Sequence, residues 1–394
     1  MTDPAGKLRI LLDPGGVSIR STRPVRAAGL LVGRDIAETS RLLPALFSIC
    51  AAAQAAAGVA AVEQGLGLRA DPRIGDRRRR LVAAETLREH LWRILLDWPG
   101  FLGEPADAAA MAQVMAHFGA WRAALSAGGD LFAPGVALPD AAPTDERARL
   151  ALADLGARRV FGLPPAFWLG QVDTLAALRA WARRTDTVAA RLLQRVLSAG
   201  QGGLGRAPIG ALPRLTAADL DPCLAGGDAA ADAFVARPTW AGEPHETSPL
   251  TRQLEAPLVL ALRERFGNGL LPRLAAALVE VARILSTAAT TLTEPQPPPD
   301  ALPAGLGLAQ VPAARGLLVH RVCLDGGRIA GYRILAPTEW NFHPRGVVAR
   351  GLTGLVQESD PAALGPLARL FIAAVDPCVD FELQLPEPGA RARA

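Results

Sequence analysis

The side chains in this sequence best suited to soft-metal or nucleophile chemistry are its four cysteines, Cys50, Cys223, Cys323 and Cys378. A metal-binding thiolate needs company, either a second cysteine at Cys-x-x-Cys spacing or a histidine within ligand reach. There is no Cys-x-x-Cys, and no His stands at ligand spacing from Cys50 or Cys378. Cys50 lies in Ser48-Ile49-Cys50-Ala51-Ala52-Ala53, where a lone cysteine among small residues reads as a small buried hydrophobe. Cys378 follows Asp376-Pro377. Cys223, in Asp221-Pro222-Cys223, and Cys323, in a strand pattern, read as structural. Gly200 to Gly205 lacks the Lys and Ser/Thr of a phosphate loop. Spacing alone proposes no metal.

The elements that must position these residues are mostly helical. Residues 7–12 and 17–22 form a hairpin pattern around Asp13-Pro14-Gly15-Gly16. Residues 41–66 read as one Ala-rich helix, capped by Ser40 with Pro44 near its first turn. Residues 81–98, 107–124, 172–198, 254–265 and 270–292 carry apolar residues at helical spacing. A Pro-rich loop precedes a second hairpin, residues 317–324 and 328–335 around Asp325-Gly326-Gly327. Residues 361–374 form a last helix, broken at Asp376-Pro377. Half of the 394 residues are hydrophobic and the formal net charge is +4, so a large core is available. Arginines interleave with acids, which argues against a nucleic-acid binder. The dense basic run, Arg77 to Arg80, reads as a solvated helix entry. Residues 1–7 carry no apolar export segment, and residues 47–62 are too short to span a bilayer. A soluble, cytoplasmic protein with reduced thiols is the expectation.

Six segments, in order along most of the chain, resemble the large subunit of nickel-iron hydrogenases. Ala5-Gly6-Lys7-Leu8-Arg9-Ile10 resembles that family's opening Glu-Gly-His strand. Phe47-Ser48-Ile49-Cys50, with Gln54 after it, resembles its first Cys-Gly-Ile-Cys-x-x-x-His. Glu246-Thr247-Ser248-Pro249-Leu250-Thr251-Arg252 is similar to Glu-x-Gly-Pro-Leu-Ala-Arg, and Ala313-Ala314-Arg315-Gly316 to Ala-Pro-Arg-Gly. Pro337-Thr338-Glu339-Trp340-Asn341, with Pro344-Arg345, resembles the Pro-Thr-Thr-Trp-Asn block. Asp376-Pro377-Cys378 resembles the start of Asp-Pro-Cys-x-x-Cys-x-x-His. The resemblance implies a mostly α fold with small β-sheets (α+β), the nickel-iron hydrogenase large-subunit-like fold. It implies one such domain over residues 1–394, with residues 293–305 as a Pro-rich loop.

In that family two Cys-x-x-Cys pairs hold nickel and iron, the first cysteine of each pair on nickel alone and the second bridging. By resemblance Cys50 falls at the bridging position of the first pair, with Phe47 at its terminal position. Cys378 falls at the terminal position of the second pair, with Phe381 at its bridging position. Gln54 and Gln384 stand at the histidine positions and Ala5 at the glutamate. With two thiolates gone, no nickel and no hydrogen turnover are expected, because soft thiolates supply most of the binding. Parts of the iron pocket remain. Arg315 matches an arginine beside one cyanide, Thr338 a hydroxyl donor to the other, and Leu318 an apolar wall near the carbonyl. Asp376 and Arg345 match charged neighbours able to pair.

The pattern is similar to a side branch of the family, the hydrogenase expression/formation proteins of the HupK/HoxV type. That implies a non-catalytic assembly scaffold whose cargo is an Fe(CN)2(CO) unit, held transiently by Cys50 and Cys378. The implied partners are the hydrogenase large-subunit precursor and a small HypC-type maturation chaperone, with no nucleic acid and no membrane. A metal-free chaperone mimicking the large subunit is the other reading. How one iron would meet a bridging-type and a terminal-type cysteine stays open, and no proteolytic shortening of the C-terminus is expected.

Overall fold

The computed structural model describes residues 6–137, 145–225, 228–286 and 302–386. In β1 (Leu8–Asp13) Leu8, Ile10 and Leu12 are buried and the residues between them exposed, the two-residue period of a strand with one face on a core. Asp13 Oδ1 accepts the Gly15 N–H at 2.9 Å and closes the turn into β2 (Gly16–Ser21), in register from Leu8↔Ser21 to Asp13↔Gly16.

The single helix expected over residues 41–66 is two, α1 (Thr39–Leu46) and α2 (Ala51–Gly65), joined by one 3-10 turn at Ser48–Cys50 and bent by 107°. Phe47 (φ −129°, ψ 63°) and Cys50 (φ −116°, ψ 42°) leave helical geometry. A new helix N-terminus exposes unpaired N–H groups. Glu85, on α3 (Pro72–Trp92), takes those of Ala52 and Ala53 at 2.7 and 3.1 Å. Both sides of the break are apolar, so periodicity does not mark it. Asp35, not Ser40, caps the entry to this region, which places Pro44 inside α1 rather than in its first turn.

The basic run is a second correction. Arg77, Arg78 and Arg80 are buried, because α3 is covered on that side as well. Arg78 grips Glu63 of α2 with bonds of 2.7 and 3.0 Å, Arg80 pairs with Asp145, and Arg77 donates to the Ala127 carbonyl at 3.2 Å. Carboxylate and carbonyl partners offset the desolvation of the guanidiniums. The main apolar core lies around α3, α4 (Ala108–Leu125) and α5 (Leu270–Ser286), with Trp121, Trp168 and Phe161 fully buried. Residues 172–198 hold two helices, Leu175–Arg184 and Val188–Ser198, the second capped by Thr187.

The second sheet is antiparallel, in the order β3 (Leu306–Ala313), β4 (Gly316–Asp325), β5 (Arg328–Leu335). The hairpin β4–β5 was legible. β3 was not, since Gly307 and Pro312 blur its pattern, and an edge strand tolerates both. Gly307 is there for contact: a Cβ would fall 1.7 Å from the Ala61 carbonyl oxygen, so the small residues of α2 let β3 lie directly on it. After α6 (Pro337–Asn341), α7 (Val347–Glu358) and α8 (Pro361–Val375) pack against the first sheet. Four-residue β6 (Phe381–Gln384) pairs parallel to β1 with Leu8↔Phe381 and completes the order β2-β1-β6.

Among the described residues no single helix is long and apolar enough to cross a membrane, and most of the Ala-rich α2 is buried in the protein. Most of the expected Pro-rich loop, Ala5 and the last eight residues lie outside the described residues.

Candidate metal centre

The bend before α2 puts Cys50 at the helix junction, and a strained residue puts Cys378 opposite. α8 ends at Asp376, a non-glycine residue at φ 61°. That conformation costs about 1–2 kcal/mol, and two arginines hold it in place. Arg93 Nε donates to Asp376 Oδ1 at 2.7 Å, and Arg315 Nε lies 3.2 Å from Oδ2. Cys378 then comes beside Thr338 of α6. Its N–H donates to Thr338 Oγ1 at 3.4 Å, and Oγ1 stands 3.0 Å from Cys378 Sγ. With Oγ1 accepting from the backbone, the hydroxyl proton is available to the sulfur.

Gln54, one turn after Cys50, donates from Nε2 to Cys50 Sγ at 3.6 Å. Its Oε1 faces His320 Nε2 at 2.9 Å, and His320 Nδ1 faces the Tyr332 hydroxyl at 2.8 Å. Burial lowers the His320 pKa to about 3, so the ring is neutral. Gln54 Oε1 can only accept, which fixes the His320 proton on Nε2 and makes Tyr332 the donor to Nδ1. Sequence reasoning took Gln54 as a lost histidine and missed His320 and Tyr332. The sole available signal was two buried polar residues on facing strands. Gly58 makes room, since a Cβ there would lie 3.0 Å from the Tyr332 oxygen.

Arg315 sits in the turn between β3 and β4 with 5% of its side chain exposed. Its NH2 donates to Glu89 Oε2 at 3.0 Å. NH1 has no hydrogen-bond partner among the described residues, and Nε is too poorly aligned with Asp376 to count as bonded. Burial works against the charge, but Asp376 and Glu89 raise the Arg315 pKa overall, with a contribution from Cys378. Leu318, on β4, is buried in the apolar cluster against which Cys50 packs. Burial first, then the neighbouring Cys378 and Glu85, push the Cys50 thiol well above its ordinary value, against Gln54 and Arg315. Cys50 and Cys378 therefore share one electrostatic environment, and both are half-buried.

Two further residues escaped the sequence. Arg23, just past β2, pairs with Glu339 of α6 at 3.1 Å, and its charge is felt by both cysteines. Asn341 joins three motifs. Its Oδ1 accepts the Thr247 N–H at 2.9 Å, and its Nδ2 donates to the carbonyls of Thr247 at 2.6 Å and Arg315 at 3.2 Å. Gly316 completes the junction, because a Cβ there would fall 2.3 Å from the Thr247 carbonyl oxygen.

Not every expected residue joins. Arg345 is exposed and donates to the Gly242 carbonyl at 3.4 Å, while Asp376 is taken by Arg93 and Arg315, so the anticipated Arg345–Asp376 pair does not form. Phe47 and Phe381 pack against separate apolar clusters, and Gln384 is exposed on β6. Among the described residues no group of three or more His, Cys, Asp or Glu side chains is placed to hold a metal ion. What the site offers is two thiols, Cys50 with the Gln54 amide at 3.6 Å and Cys378 with the Thr338 hydroxyl at 3.0 Å, and a buried guanidinium whose charge bears on both.

No family profile matches the sequence. The chain is 33% identical to the hydrogenase expression/formation protein HupV of Azotobacter chroococcum over 375 residues, 94% of each chain. It is 34% identical to HoxV of Cupriavidus necator over 96% of each chain, and 32% identical to HupK of Azotobacter vinelandii over 94% of each. Its fold matches a nickel-iron-selenium hydrogenase of Desulfovibrio vulgaris with a TM-score of 0.53 at 16% identity, over 93% of this chain and 94% of that one. An NAD+-reducing nickel-iron hydrogenase matches with a TM-score of 0.52 at 15% identity, over 95% and 97%. With this fold, and with such identity along nearly its whole length, the chain belongs to the HupK/HoxV family of hydrogenase expression/formation proteins, built on the architecture of the nickel-iron hydrogenase large subunit.

Proposed function

We propose that this chain is a non-catalytic scaffold in hydrogenase assembly, holding an Fe(CN)2(CO) unit between Cys50 and Cys378 before it passes to the large-subunit precursor. The observation that carries the reading is the buried NH1 of Arg315, without a hydrogen-bond partner among the described residues, on a guanidinium whose charge bears on both thiols. A buried donor left bare costs about 1–3 kcal/mol, and a metal-bound cyanide nitrogen would satisfy it with a charge-assisted bond. The Thr338 hydroxyl at Cys378 and the Leu318 wall at Cys50 supply the other polar and apolar surfaces such a cargo needs.

The same geometry favours a loose hold. Two thiolates and three diatomic ligands leave one position of an octahedral iron open for transfer. Each thiol must lose its proton to bind, and the high Cys50 pKa sets a cost against that. The large-subunit precursor and a small HypC-type chaperone are the proposed partners, in the cytoplasm, and the names of the relatives support a place in hydrogenase formation.

Infrared spectroscopy of the anaerobically purified protein, produced alongside the maturation machinery, tests this. Carbonyl and cyanide stretching bands are expected, and are expected to vanish in Cys50→Ala and Cys378→Ala. A wild-type protein without such bands, whose cysteine variants still support maturation, would refute the scaffold and leave the metal-free mimic.

A further inference from the structure

We infer that Arg88 is the positioning residue of Cys50, clamping the carbonyl before that cysteine onto the carboxylate that also holds Arg315. Its part in binding the cargo rests on the scaffold reading; the clamp itself rests on geometry alone.

The break between α1 and α2 leaves backbone groups to be satisfied on both sides of Cys50. After it, Ala52 and Ala53 present N–H groups, which Glu85 of α3 accepts at 2.7 and 3.1 Å. Before it, Ile49 presents a carbonyl, to which Arg88 NH2 donates at 2.8 Å. Residues three apart on a helix share a face, so Glu85 and Arg88 meet the break together. The carboxylate takes the N–H side and the guanidinium the carbonyl side, and the charges of α3 thus match the polarity of the break.

Arg88 is itself held. Its side chain is 15% exposed, and its guanidinium lies over the Phe118 ring of α4, 4.9 Å from the centroid. Nε and NH2 both donate to Glu89 Oε1, at 2.9 and 2.6 Å. The other oxygen of that carboxylate accepts from Arg315 NH2 at 3.0 Å. Arg93, the residue after α3, holds Asp376, two residues before Cys378. One stretch of helix therefore sets the Cys50 backbone, the Arg315 guanidinium and the approach to Cys378, and Arg88 is its link to the first of these.

A role confined to neutralising Glu89 would need charge alone. Arg315 already gives Glu89 a cation, and Arg88 NH2 turns part of its bonding to the Ile49 carbonyl, which carries no net charge. Spanning a carboxylate and a carbonyl at fixed angles is what a planar guanidinium does and a point charge does not.

Alkylation of the apo protein tests the clamp without any cargo. Iodoacetamide rates at all four cysteines, read by peptide mass spectrometry, separate a local change from a general one. In Arg88→Met the junction loses its carbonyl grip while Glu85 keeps the other side. Ile49 is exposed, so water takes its carbonyl and the fold is expected to survive. The Cys50 rate is expected to rise about tenfold, the effect of about 1.4 kcal/mol, with the other three cysteines within about twofold of wild type. An unchanged Cys50 rate overturns the inference, and so does an equal rise at all four cysteines. Arg88→Met combined with Glu89→Gln removes the ion pair as a neutral unit. A clamp predicts that the Cys50 rate stays high there; a return to the wild-type rate makes Arg88 a mere counter-ion and overturns the inference. In loaded protein Arg88→Met is expected to weaken the carbonyl and cyanide bands severalfold. Bands of wild-type intensity would overturn the positioning role and leave the scaffold standing. A wild type lacking bands would sink the scaffold, while the alkylation rates still decide Arg88.

Discussion

Replacing Asn341 by leucine removes a side chain of nearly the same size and three hydrogen bonds at once. The Thr247 N–H, the Thr247 carbonyl and the Arg315 carbonyl each lose a partner in surroundings where Asn341 is 1% and Thr247 6% exposed. At about 1–3 kcal/mol for each buried group left bare, the loss is about 3–9 kcal/mol. Domains are stable by about 5–15 kcal/mol, so the low end leaves a folded protein and the high end does not. Taking about 2 °C per kcal/mol for a long chain, the melting temperature should fall by about 6 °C or more. The effect should reach the site, because Asn341 fixes the backbone of Arg315 and lies on the same short helix as Thr338. Differential scanning fluorimetry reads the first effect, and the infrared bands of loaded protein read the second. Asn341→Asp, which keeps the acceptor but sets a carboxylate against two carbonyls, should lose at least as much at neutral pH. A leucine variant melting within about 2 °C of wild type would show that these bonds carry little net energy and that the three motifs are held by packing alone.

Two other perturbations follow from buried polar contacts. Arg78→Met strands the Glu63 carboxylate, 6% exposed, so a loss of about 3–5 kcal/mol is expected by chemical denaturation, and Glu63→Gln in the same chain should recover part of it. The reactive form of Cys50 is its thiolate, and burial and neighbouring acid hold the pKa up. Its iodoacetamide rate should therefore keep climbing tenfold per pH unit beyond the ordinary thiol value of 9.0, whereas a plateau below that value contradicts the burial argument. Gln54→Leu, which removes the donor to the sulfur, should move the profile further upward.

The parts of this molecule legible in the sequence are those whose signal is local. The hairpin at Asp13–Gly16 and the β4–β5 hairpin announce themselves by turn residues between alternating strands. Motifs such as Pro337 to Asn341 point to a fold because their residues are contiguous. What stayed hidden depends on partners far away in the chain. The break before α2 is stabilised by Glu85, the burial of Arg78 and Arg80 by Glu63 and Asp145, and Asp376 by Arg93 rather than the nearer Arg345. Charge runs look alike in sequence whether water or a carboxylate receives them.

Gln54 shows why a substitution at a motif position is not simply a loss. Glutamine carries its donor and its acceptor on one terminal amide, so both can be engaged from the same end of the side chain. Its acceptor faces the neutral His320, which in turn faces Tyr332, and its N–H group lies toward Cys50. On the other side the Cys378 N–H donates to Thr338 Oγ1, which also lies 3.0 Å from the Cys378 sulfur and can donate to it once the thiol is deprotonated. Each thiol thus has beside it a polar group, the Gln54 amide or the Thr338 hydroxyl, that is itself bonded to a further group. At Cys50 the Gln54 amide favours the thiolate, while burial, the larger effect, favours the thiol. An arrangement that lowers the cost of deprotonation only in part is what the proposed transient hold on a soft metal would need.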